Sequence, residues 1–417
     1  MLFPSTAAPS LPAACAGALL FALGGAACAD TTMPSWKFSG FGTLGVAHSN
    51  EHQADFVNSV LKSDGAGRTH AWSAHVDSRL GGQLDLALDP RWSGVVQVVT
   101  EQRQDGSYKP RMEWANIKYQ ATPELALRFG RIALPMFIAA DYRKVGYAYP
   151  WVRTPIEVYG VLPLSHSDGV DLGWQWNGES MRGITQGFYG HTDTPLYDGA
   201  RLRGRAIAGL SHTVEQGAFS ARASVITTRL SISLFPELFT ALRAFQAQGT
   251  AIAERLAIDD KRASAASLGL TYDPGQWFVT GEAGRTRVDG YLGSTRSAYF
   301  SGGWRHDTLT PYATFARVWG RQPAGTNTLA LAGLPPAYAA LGGLVNTSLA
   351  AMMRAVPSQS TFSAGLRWDF APNAAVKLQH QRITTRSGSR GLFINSVPDY
   401  QSGRTAQVSS AALDFVF

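Results

Sequence analysis

Apolar and polar residues alternate in short runs along most of the chain. In the last run, "SAALDFVF", Phe417, Phe415 and Leu413 fall on one face of an extended segment while Asp414 falls on the other. The run "STFSAGLRWDF" has the same period of two. From Trp36 onward, such runs of about 10 to 14 residues predict β-strands as the main elements.

Two kinds of connection separate these runs and alternate strictly. The short ones carry turn residues: Asp89-Pro90, Thr122-Pro123-Glu124, Asn177-Gly178, Gln216-Gly217, Asp273-Pro274-Gly275, Thr310-Pro311 and Pro372-Asn373. The long ones span about 48–68, 104–110, 136–166, 191–200, 233–261, 288–295, 321–357 and 387–403. Seven short and eight long connections separate about sixteen strands, with both chain ends on the short-turn side.

This alternation distinguishes between two all-β architectures. A β-sandwich would not place every long connection at one end, whereas a closed up-and-down barrel does. Closure also removes the exposed edges of a large sheet and satisfies every backbone group inside lipid. We therefore expect an all-β fold, a closed antiparallel transmembrane β-barrel of about sixteen strands with long extracellular loops and short periplasmic turns.

The composition agrees with a barrel that faces lipid. Charged residues make up 16% of the chain, below the roughly 25% of soluble domains, yet no segment has the 18 or so apolar residues of a membrane helix. Alternation with one face in lipid explains both features. Aromatic residues near strand ends suit interfacial girdles or ordinary surface positions: Trp36, Trp92, Tyr119, Tyr272 and Trp304.

The N-terminal segment indicates export. An apolar stretch precedes the small residues Ala27-Cys28-Ala29, so we expect a signal peptide over residues 1–29, cleavage before Asp30 and one barrel domain over 30–417. No Lys or Arg stands near Met1, and lipoprotein processing at Cys28 is an alternative. Both cysteines lie in this segment, so the expected mature chain contains neither a disulfide nor a thiolate metal site.

The charge balance bears on the expected lumen. Lys plus Arg number 37 against 30 Asp plus Glu, but no basic cluster with interleaved aromatics suggests nucleic acid. Several cations fall at what we expect to be inward positions of strands: Lys118, Arg128, Arg203, Arg205, Arg222, Arg367 and Lys377. Such a wall attracts anions. The alternative is that these cations are neutralised by inward acids: Glu113, Glu282, Asp369 and Asp414.

No enzyme signature emerges. Ser165, His166 and Asp168 are near neighbours in sequence, whereas a catalytic triad requires convergence from separate elements. Four histidines near the first loop have irregular spacing for a metal site: His48, His52, His70 and His75. Motifs of the G-x-S-x-G and H-E-x-x-H types do not occur. We therefore expect no catalytic residues, no metal and no cofactor.

The C-terminal pattern and the leader together carry a family resemblance. Leu413, Phe415 and Phe417 resemble the last strand of Gram-negative porins, and the N-terminal run "SGFGTLGVA" and the loop alternation extend the resemblance over nearly the whole chain. It implies recognition of these three residues by the barrel-assembly machinery. It also implies residence in the outer membrane of a Gram-negative bacterium, contact with the lipid bilayer and lipopolysaccharide, and a homotrimer.

The third long connection, 136–166, resembles the porin loop that folds inward and narrows the pore. The run "VGYAYPWVRTPIEVYG" within it also looks like a group of proteobacterial porin-like proteins. By this resemblance the constriction contains Asp141, Arg143, Lys144, Arg153 and Glu157. Four aromatic residues of the loop offer stacking surfaces for a solute or, alternatively, pack the loop against the barrel wall: Tyr147, Tyr149, Trp151 and Tyr159.

The sequence thus predicts a porin for passive diffusion of small hydrophilic, anionic solutes and ions. A structural or adhesive barrel with a plugged lumen, whose long loops bind a partner, is the alternative. An outer-membrane hydrolase is a third possibility. Helical patterns in loops 233–261 and 321–357 predict short helices near the pore mouth.

Overall fold

Sixteen long antiparallel strands form a closed barrel. The computed structural model describes residues 34–161 and 165–417, so the expected signal peptide lies outside the described residues. Three two-residue strands in the first loop are β2 (Asp55–Phe56), β3 (Ala66–Gly67) and β4 (Trp72–Ser73). The barrel strands are β1 (Ser35–Ser49), β5 (Arg79–Ala87), β6 (Trp92–Glu101), β7 (Arg111–Gln120), β8 (Leu125–Ala133), β9 (His166–Asn177), β10 (Arg182–Pro195), β11 (Arg201–Gln216), β12 (Phe219–Ile232), β13 (Ile258–Tyr272), β14 (Trp277–Val288), β15 (Ser294–Trp304), β16 (Leu309–Arg321), β17 (Gln359–Ala371), β18 (Ala374–Thr385) and β19 (Thr405–Val416).

Each barrel strand pairs with the next, and β1 pairs with both β5 and β19, which closes the sheet. Eight long loops lie at one end, at 50–78, 102–110, 134–165, 196–200, 233–257, 289–293, 322–358 and 386–404. We number them loop 1 to loop 8. Seven short turns lie at the other end, which confirms the predicted fold class and the alternation of connections.

Three predicted boundaries are wrong, and one of them is the start of loop 4, which lies at residue 196 and not at about 191. Loop 1 extends to residue 78 because β2 and β3 pair in a small separate sheet and β4 pairs with the end of β1. The turn expected at Thr310–Pro311 lies at 305–308 instead, and both residues belong to β16. Proline is tolerated near the start of a strand, where its missing N–H costs few ladder hydrogen bonds.

The outward face of the barrel is apolar around its middle. Residues directly opposite on paired strands share a face, and Leu268, Phe300 and Phe315 all lie outward and exposed. The inward positions beside them carry small polar residues such as Ser267 and Ser301. An apolar exterior around a polar interior is the arrangement of an outer-membrane β-barrel.

Aromatic residues line the short-turn end of the barrel. Trp36 is 72% exposed and Trp304 is 53% exposed, and the rings of Trp92 and Tyr119 lie 4.7 Å apart. Tyr272 lies at the same end. Their positions match an interfacial girdle.

The chain end completes the barrel. Phe417 N donates to Gly40 O over 3.0 Å, and Gly40 N donates to Phe417 O over 2.8 Å. The ring of Phe417 covers Gly40 and that of Phe415 covers Gly42, so closely that an added Cβ would lie 2.2 and 2.3 Å from ring atoms. Glycine at these two positions of β1 therefore makes room for the C-terminal aromatic side chains.

Helices occur in the loops, as predicted for loops 5 and 7. They are α1 (Ile156–Tyr159), α2 (Pro236–Arg243), α3 (Gln246–Leu256) and α4 (Pro336–Met353). Helices α2, α3 and α4 bury Leu242, Leu256 and Leu349 in one apolar cluster with strand-end residues such as Leu202 and Leu230. None of the described helices is long and apolar enough to span a membrane.

Candidate functional site

Loop 3 folds into the barrel and packs against its inner wall. Phe137, Trp151 and Val158 of the loop are buried in one cluster with inward residues of distant strands, among them Ile226 and Tyr299. The hydrophobic effect thus holds an apolar face of the loop against the wall. The lumen on that side is filled by protein.

The beginning of loop 3 is tied to β12. Ser224 donates to Pro135 O over 2.8 Å, and Arg222 donates to Phe137 O over 2.7 Å. Arg222 also lies 3.2 Å from the Asp141 carboxylate. These contacts satisfy backbone carbonyls that the loop would otherwise bury without partners.

The middle of loop 3 is tied to β17 and β18. Lys377 Nζ, which is fully buried, donates to three backbone carbonyls of the loop over 2.6 to 3.0 Å, and it lies 2.8 Å from Asp414. Arg367 Nη1 donates to Tyr147 O over 2.7 Å and pairs with Asp369 over 2.7 Å. Both cations face inward, as predicted, but they bind loop 3.

The last part of loop 3 makes further polar contacts with the wall. Arg153 donates to Asp77 and, over 2.6 Å, to Ser410. Glu157 accepts hydrogen bonds from Gln359, over 2.7 Å, and from Thr361. Burial raises the pKa of Glu157 above its usual value, although these two hydrogen bonds oppose the rise.

The aromatic side chains of loop 3 mainly pack the loop. Trp151 Nε1 donates to Ser301 Oγ over 2.8 Å, and Tyr159 donates to Glu282. Tyr149 is 3% exposed, and Tyr147 has the Arg367 guanidinium 4.7 Å from its ring centre. These contacts agree with the alternative in which the aromatic side chains pack the loop against the barrel wall. Tyr149 and Tyr159 also border the cavity described next.

A cavity of about 310 Å³ remains between loop 3, strands β5 to β7 and loops 1 and 2. Eight of its lining side chains are cationic: Lys62, Arg79, Arg103, Lys109, Arg111, Arg143, Lys144 and Arg153. Three are acidic: Glu101, Asp105 and Glu113. Within the described part of the chain only Lys144 and Arg153 of these cations have a carboxylate within 4.0 Å.

Comparisons with known proteins add to this geometry. No protein-family model matches the sequence, and no curated protein matches it either. The fold is similar to OmpT, an outer membrane protein of Vibrio cholerae (TM-score 0.52, 11% identity, 94% of this chain and 100% of that chain). It is also similar to Salmonella typhi OmpF in complex with daunomycin (TM-score 0.52, 11% identity, 92% and 97%) and to an anion-selective porin from Comamonas acidovorans (TM-score 0.51, 13% identity, 92% and 100%).

The chain has the porin fold. Solved porins align with it over nearly their whole length, and its apolar exterior is that of an outer-membrane barrel. At 11 to 13% identity, the likeness shows the fold alone.

Within this porin fold, the predicted constriction residues separate into two groups. Arg143, Lys144 and Arg153 line the cavity, whereas Asp141 and Glu157 contact the wall and do not line it. The sequence interpretation missed Arg79 and Arg111, which project inward at the loop ends of β5 and β7. For Arg79 the available signal was its inward phase beside the outward Leu80. Arg111 had no such signal, because β7 has one residue more than β6 between Met112 and Trp114, which reverses the alternation.

Five of the predicted wall cations do face the lumen side of the porin fold: Lys118, Arg128, Arg222, Arg367 and Lys377. Four of these five lie within 4.0 Å of a carboxylate: Arg128 with Asp171, Arg222 with Asp141, Arg367 with Asp369 and Lys377 with Asp414. The alternative, in which acidic side chains neutralise the inward cations, therefore describes most of this wall.

The prediction for Arg203 and Arg205 is wrong, because both point outward. Near Ala206, β11 has one residue more than its partner β12, so Arg205 and Ala208 lie on the same outer face. Such a bulge reverses the alternation beyond it. Leu202 consequently points inward into the apolar loop cluster, and the arginines beside it are exposed.

The Ser165–Asp168 region does not form a triad. Asp168 accepts two hydrogen bonds from Arg131, both over 2.7 Å. Ser165 Oγ lies 3.0 Å and Glu113 lies 4.0 Å from the same His166 nitrogen, Nδ1, whereas a relay needs both ring nitrogens. The described residues contain no group of three or more metal-ligating side chains of the His, Cys, Asp and Glu types.

Proposed function

We propose that this barrel is an outer-membrane channel for passive diffusion of small hydrophilic solutes, with a preference for anions. The observation that carries the proposal is the cavity beside loop 3, where eight cationic side chains face three acidic ones. Loop 3 occupies the part of the lumen beside this cavity. It therefore sets the width of the passage that remains for a solute.

The charge preference follows from which cations stay uncompensated. Arg79, Arg111 and Arg143 border the cavity without a carboxylate within 4.0 Å among the described residues. A water-filled passage with low-dielectric walls strengthens the field of such charges and raises the local anion concentration. The neutralised pairs elsewhere, such as Arg128 with Asp171, contribute little to that field.

The porin fold supports the channel part of the proposal. The similar structures include an anion-selective porin and OmpF in complex with daunomycin. The homotrimer, the contact with lipopolysaccharide, the barrel-assembly recognition of Leu413, Phe415 and Phe417 and the signal peptide over 1–29 stay predictions.

The deciding experiment is single-channel recording of the purified protein in a planar bilayer with a KCl gradient. We expect steady open steps and a reversal potential that indicates chloride preference. The double variant Arg111→Glu/Arg143→Glu is expected to shift the reversal potential toward potassium preference. Arg382→Glu, a reversal on the outward face of β18, is the matched control and is expected to leave it unchanged.

Two results would count against the proposal. Chloride preference that persists in the double variant would remove the cavity cations from the mechanism. Electrical silence of correctly folded protein would instead support the alternative, a barrel plugged by loop 3 whose outer loops bind a partner.

A further inference from the structure

Glu113 is a nearly buried acid of the cavity that has no cationic partner. It lines the cavity beside loop 3 and is 7% exposed. Among the described residues, no lysine or arginine lies within 4.0 Å of its carboxylate, whereas the neighbouring acid Glu101 pairs with Lys144. His166 Nδ1 lies 4.0 Å from Glu113, beyond hydrogen-bond distance, and 3.0 Å from Ser165 Oγ. Glu113 thus presents an unpaired charge to the cavity.

A β-bulge directs Glu113 into the cavity. Strand β7 has one residue more than β6 between Met112 and Trp114, and Glu113 is that residue. Lys118, farther along β7, faces inward, and strict alternation from Lys118 would place Glu113 on the outer face. A bulge bends the strand and re-aims the side chain that it carries. The irregularity of β7 therefore supplies the cavity with a carboxylate.

Two arginines of the same cavity lack an acidic partner. Arg79 is 8% exposed, its Nη2 donates to the Tyr149 hydroxyl over 2.7 Å, and its Nε has no hydrogen-bond partner in the part of the chain that the structure describes. Burial lowers the pKa of the Arg143 guanidinium, and Glu113 opposes this fall more than any other carboxylate does. Arg143 and Glu113 are therefore close without forming an ion pair. We call Arg79, Arg143 and Glu113 the mixed-charge site.

Two buried amide oxygens beside the mixed-charge site also lack partners. Gln102 Oε1 and Gln104 Oε1 border the cavity, and neither accepts a hydrogen bond within the described residues. Their orientation is fixed, because Gln102 Nε2 donates to Asp64 over 2.8 Å and Gln104 Nε2 donates to Val60 O over 3.3 Å. An anion has no hydrogen to give to such acceptors. They suit a solute that carries N–H groups.

Unpaired charges of both signs restrict which ligand the mixed-charge site favours. A buried charge without a partner has a desolvation cost, and a group of opposite charge reduces that cost. A carboxylate alone would reduce it for Arg79 and Arg143 and leave Glu113 unpaired. An ammonium group alone would do the reverse. A single molecule with both groups reduces the cost for all three, and a cavity of about 310 Å³ has room for a small one.

We propose that the mixed-charge site binds small zwitterionic solutes of the amino-acid type, with the carboxylate at Arg79 and Arg143 and the ammonium group at Glu113. A guanidinium binds a carboxylate through paired hydrogen bonds, and the ammonium group supplies the missing donors. The inference rests on the proposed channel function and names a class of solute for it. The excess of cations around the cavity still attracts chloride, so anion preference and zwitterion binding are separate properties of one passage.

The test is a ligand-observed NMR titration of the detergent-purified full barrel with three probes. They are glutamine, glutaramate, which lacks the amine, and γ-aminobutyramide, which lacks the carboxylate. We expect glutamine to bind about tenfold more tightly than either analogue, as expected when a buried charged group is left without its partner. Glu113→Gln should reduce glutamine to the affinity of glutaramate. Arg143→Gln should weaken glutamine and glutaramate but not γ-aminobutyramide, and Glu179→Gln, at an exposed turn, is the control that should bind as wild type does.

Several outcomes would overturn the inference. Equal binding of glutamine and glutaramate by wild type would exclude recognition of the amine, and unchanged glutamine affinity in Glu113→Gln would remove Glu113 from the site. A variant that fails to fold would lose all three probes together, and heat-modifiable gel mobility checks folding directly. The titration does not depend on conduction. A chloride-preferring channel without this order of binding therefore contradicts the inference alone, whereas electrical silence contradicts the proposed function.

Discussion

The guanidinium of Arg153 donates two hydrogen bonds to the carboxylate of Asp77, over 2.9 and 2.6 Å. Both side chains are buried, at 3% and 0% exposure. Arg153 belongs to loop 3 and Asp77 to loop 1, and Ser410 of β19 accepts a third hydrogen bond from the same guanidinium. This ion pair therefore fixes the inward loop to two other parts of the barrel beside the cavity.

Removal of one partner of this pair is expected to leave a buried uncompensated charge. Arg153→Leu should lower the free energy of unfolding by about 3–5 kcal/mol and make the channel current noisier, because loop 3 loses an attachment. Denaturant unfolding in detergent and single-channel recording measure the two effects. Glu215→Gln removes the exposed pair between Arg182 and Glu215 and should cost no more than about 1 kcal/mol. Equal losses in the two variants would contradict the prediction.

Lys62 makes the proposed anion preference dependent on pH. Burial lowers the pKa of Lys62 to about 8, and its Nζ donates to His75 O over 2.8 Å at the cavity. Its charge is present below that pKa and lost above it, so chloride preference should decrease between pH 7 and pH 9. Reversal potentials measured across this range test it. Lys62→Arg keeps its charge throughout and should remove this part of the decrease; an identical pH profile in that variant would exclude Lys62.

Glu157 is expected to reduce stability as pH rises. Its pKa in the folded protein is raised by burial, so the neutral form fits the folded state better, and stability is lost as pH increases through that raised pKa. Glu157→Gln keeps an acceptor for Gln359 and should be at least as stable as wild type at pH 7, with an advantage that vanishes at low pH.

Two matched variants sharpen this measurement of unfolding against pH. Glu157→Ala leaves the donors Gln359 and Thr361 without their partner and should cost about 1–3 kcal/mol. Glu179→Gln, at an exposed turn, should change stability little. A Glu157→Gln variant that is less stable than wild type at pH 7 would contradict the argument.

Phe417 is expected to act both in closure and in assembly. Its deletion removes two backbone hydrogen bonds to Gly40 and uncovers that glycine, which should cost about 1–2 kcal/mol. The folded fraction in cells should fall further than the folded fraction obtained in lipid vesicles, since only cells contain the assembly machinery. Phe370→Ala, an exposed aromatic at the same rim away from the seam, is the control. Equal losses in cells and vesicles would leave only the closure role.

The alternation of apolar and polar residues predicts the strands well. It assigns side chains to the wrong face where a strand contains one extra residue. Alternation placed Phe362 and Trp368 on one face of β17, as observed, because the side chains of a strand have a strict period of two. The same period put Arg203 and Arg205 inside, since the bulge near Ala206 leaves no clear signal in the sequence. An ordinary turn signal likewise placed a turn at Thr310–Pro311, where β16 has already begun.

For the site, the sequence indicated which loop folds inward but not which of its charges stay free. Arg143 and Arg153 look equivalent in sequence, yet Arg153 is buried against Asp77, whereas Arg143 has no carboxylate within 4.0 Å among the described residues. Asp77 is 76 positions away from Arg153, and only the closed barrel brings the two together.

The sequence by itself determined the barrel and its strand number, because these depend on short-range alternation and turn chemistry. The loop that enters the barrel was expected only from the porin resemblance of residues 136–166. The tertiary structure decided which cations line the cavity, which ones hold loop 3 and which ones, such as Arg203 and Arg205, lie outside. Those assignments depend on strand register and on contacts between residues far apart in the chain, and a single shift of register moves every following side chain to the other face.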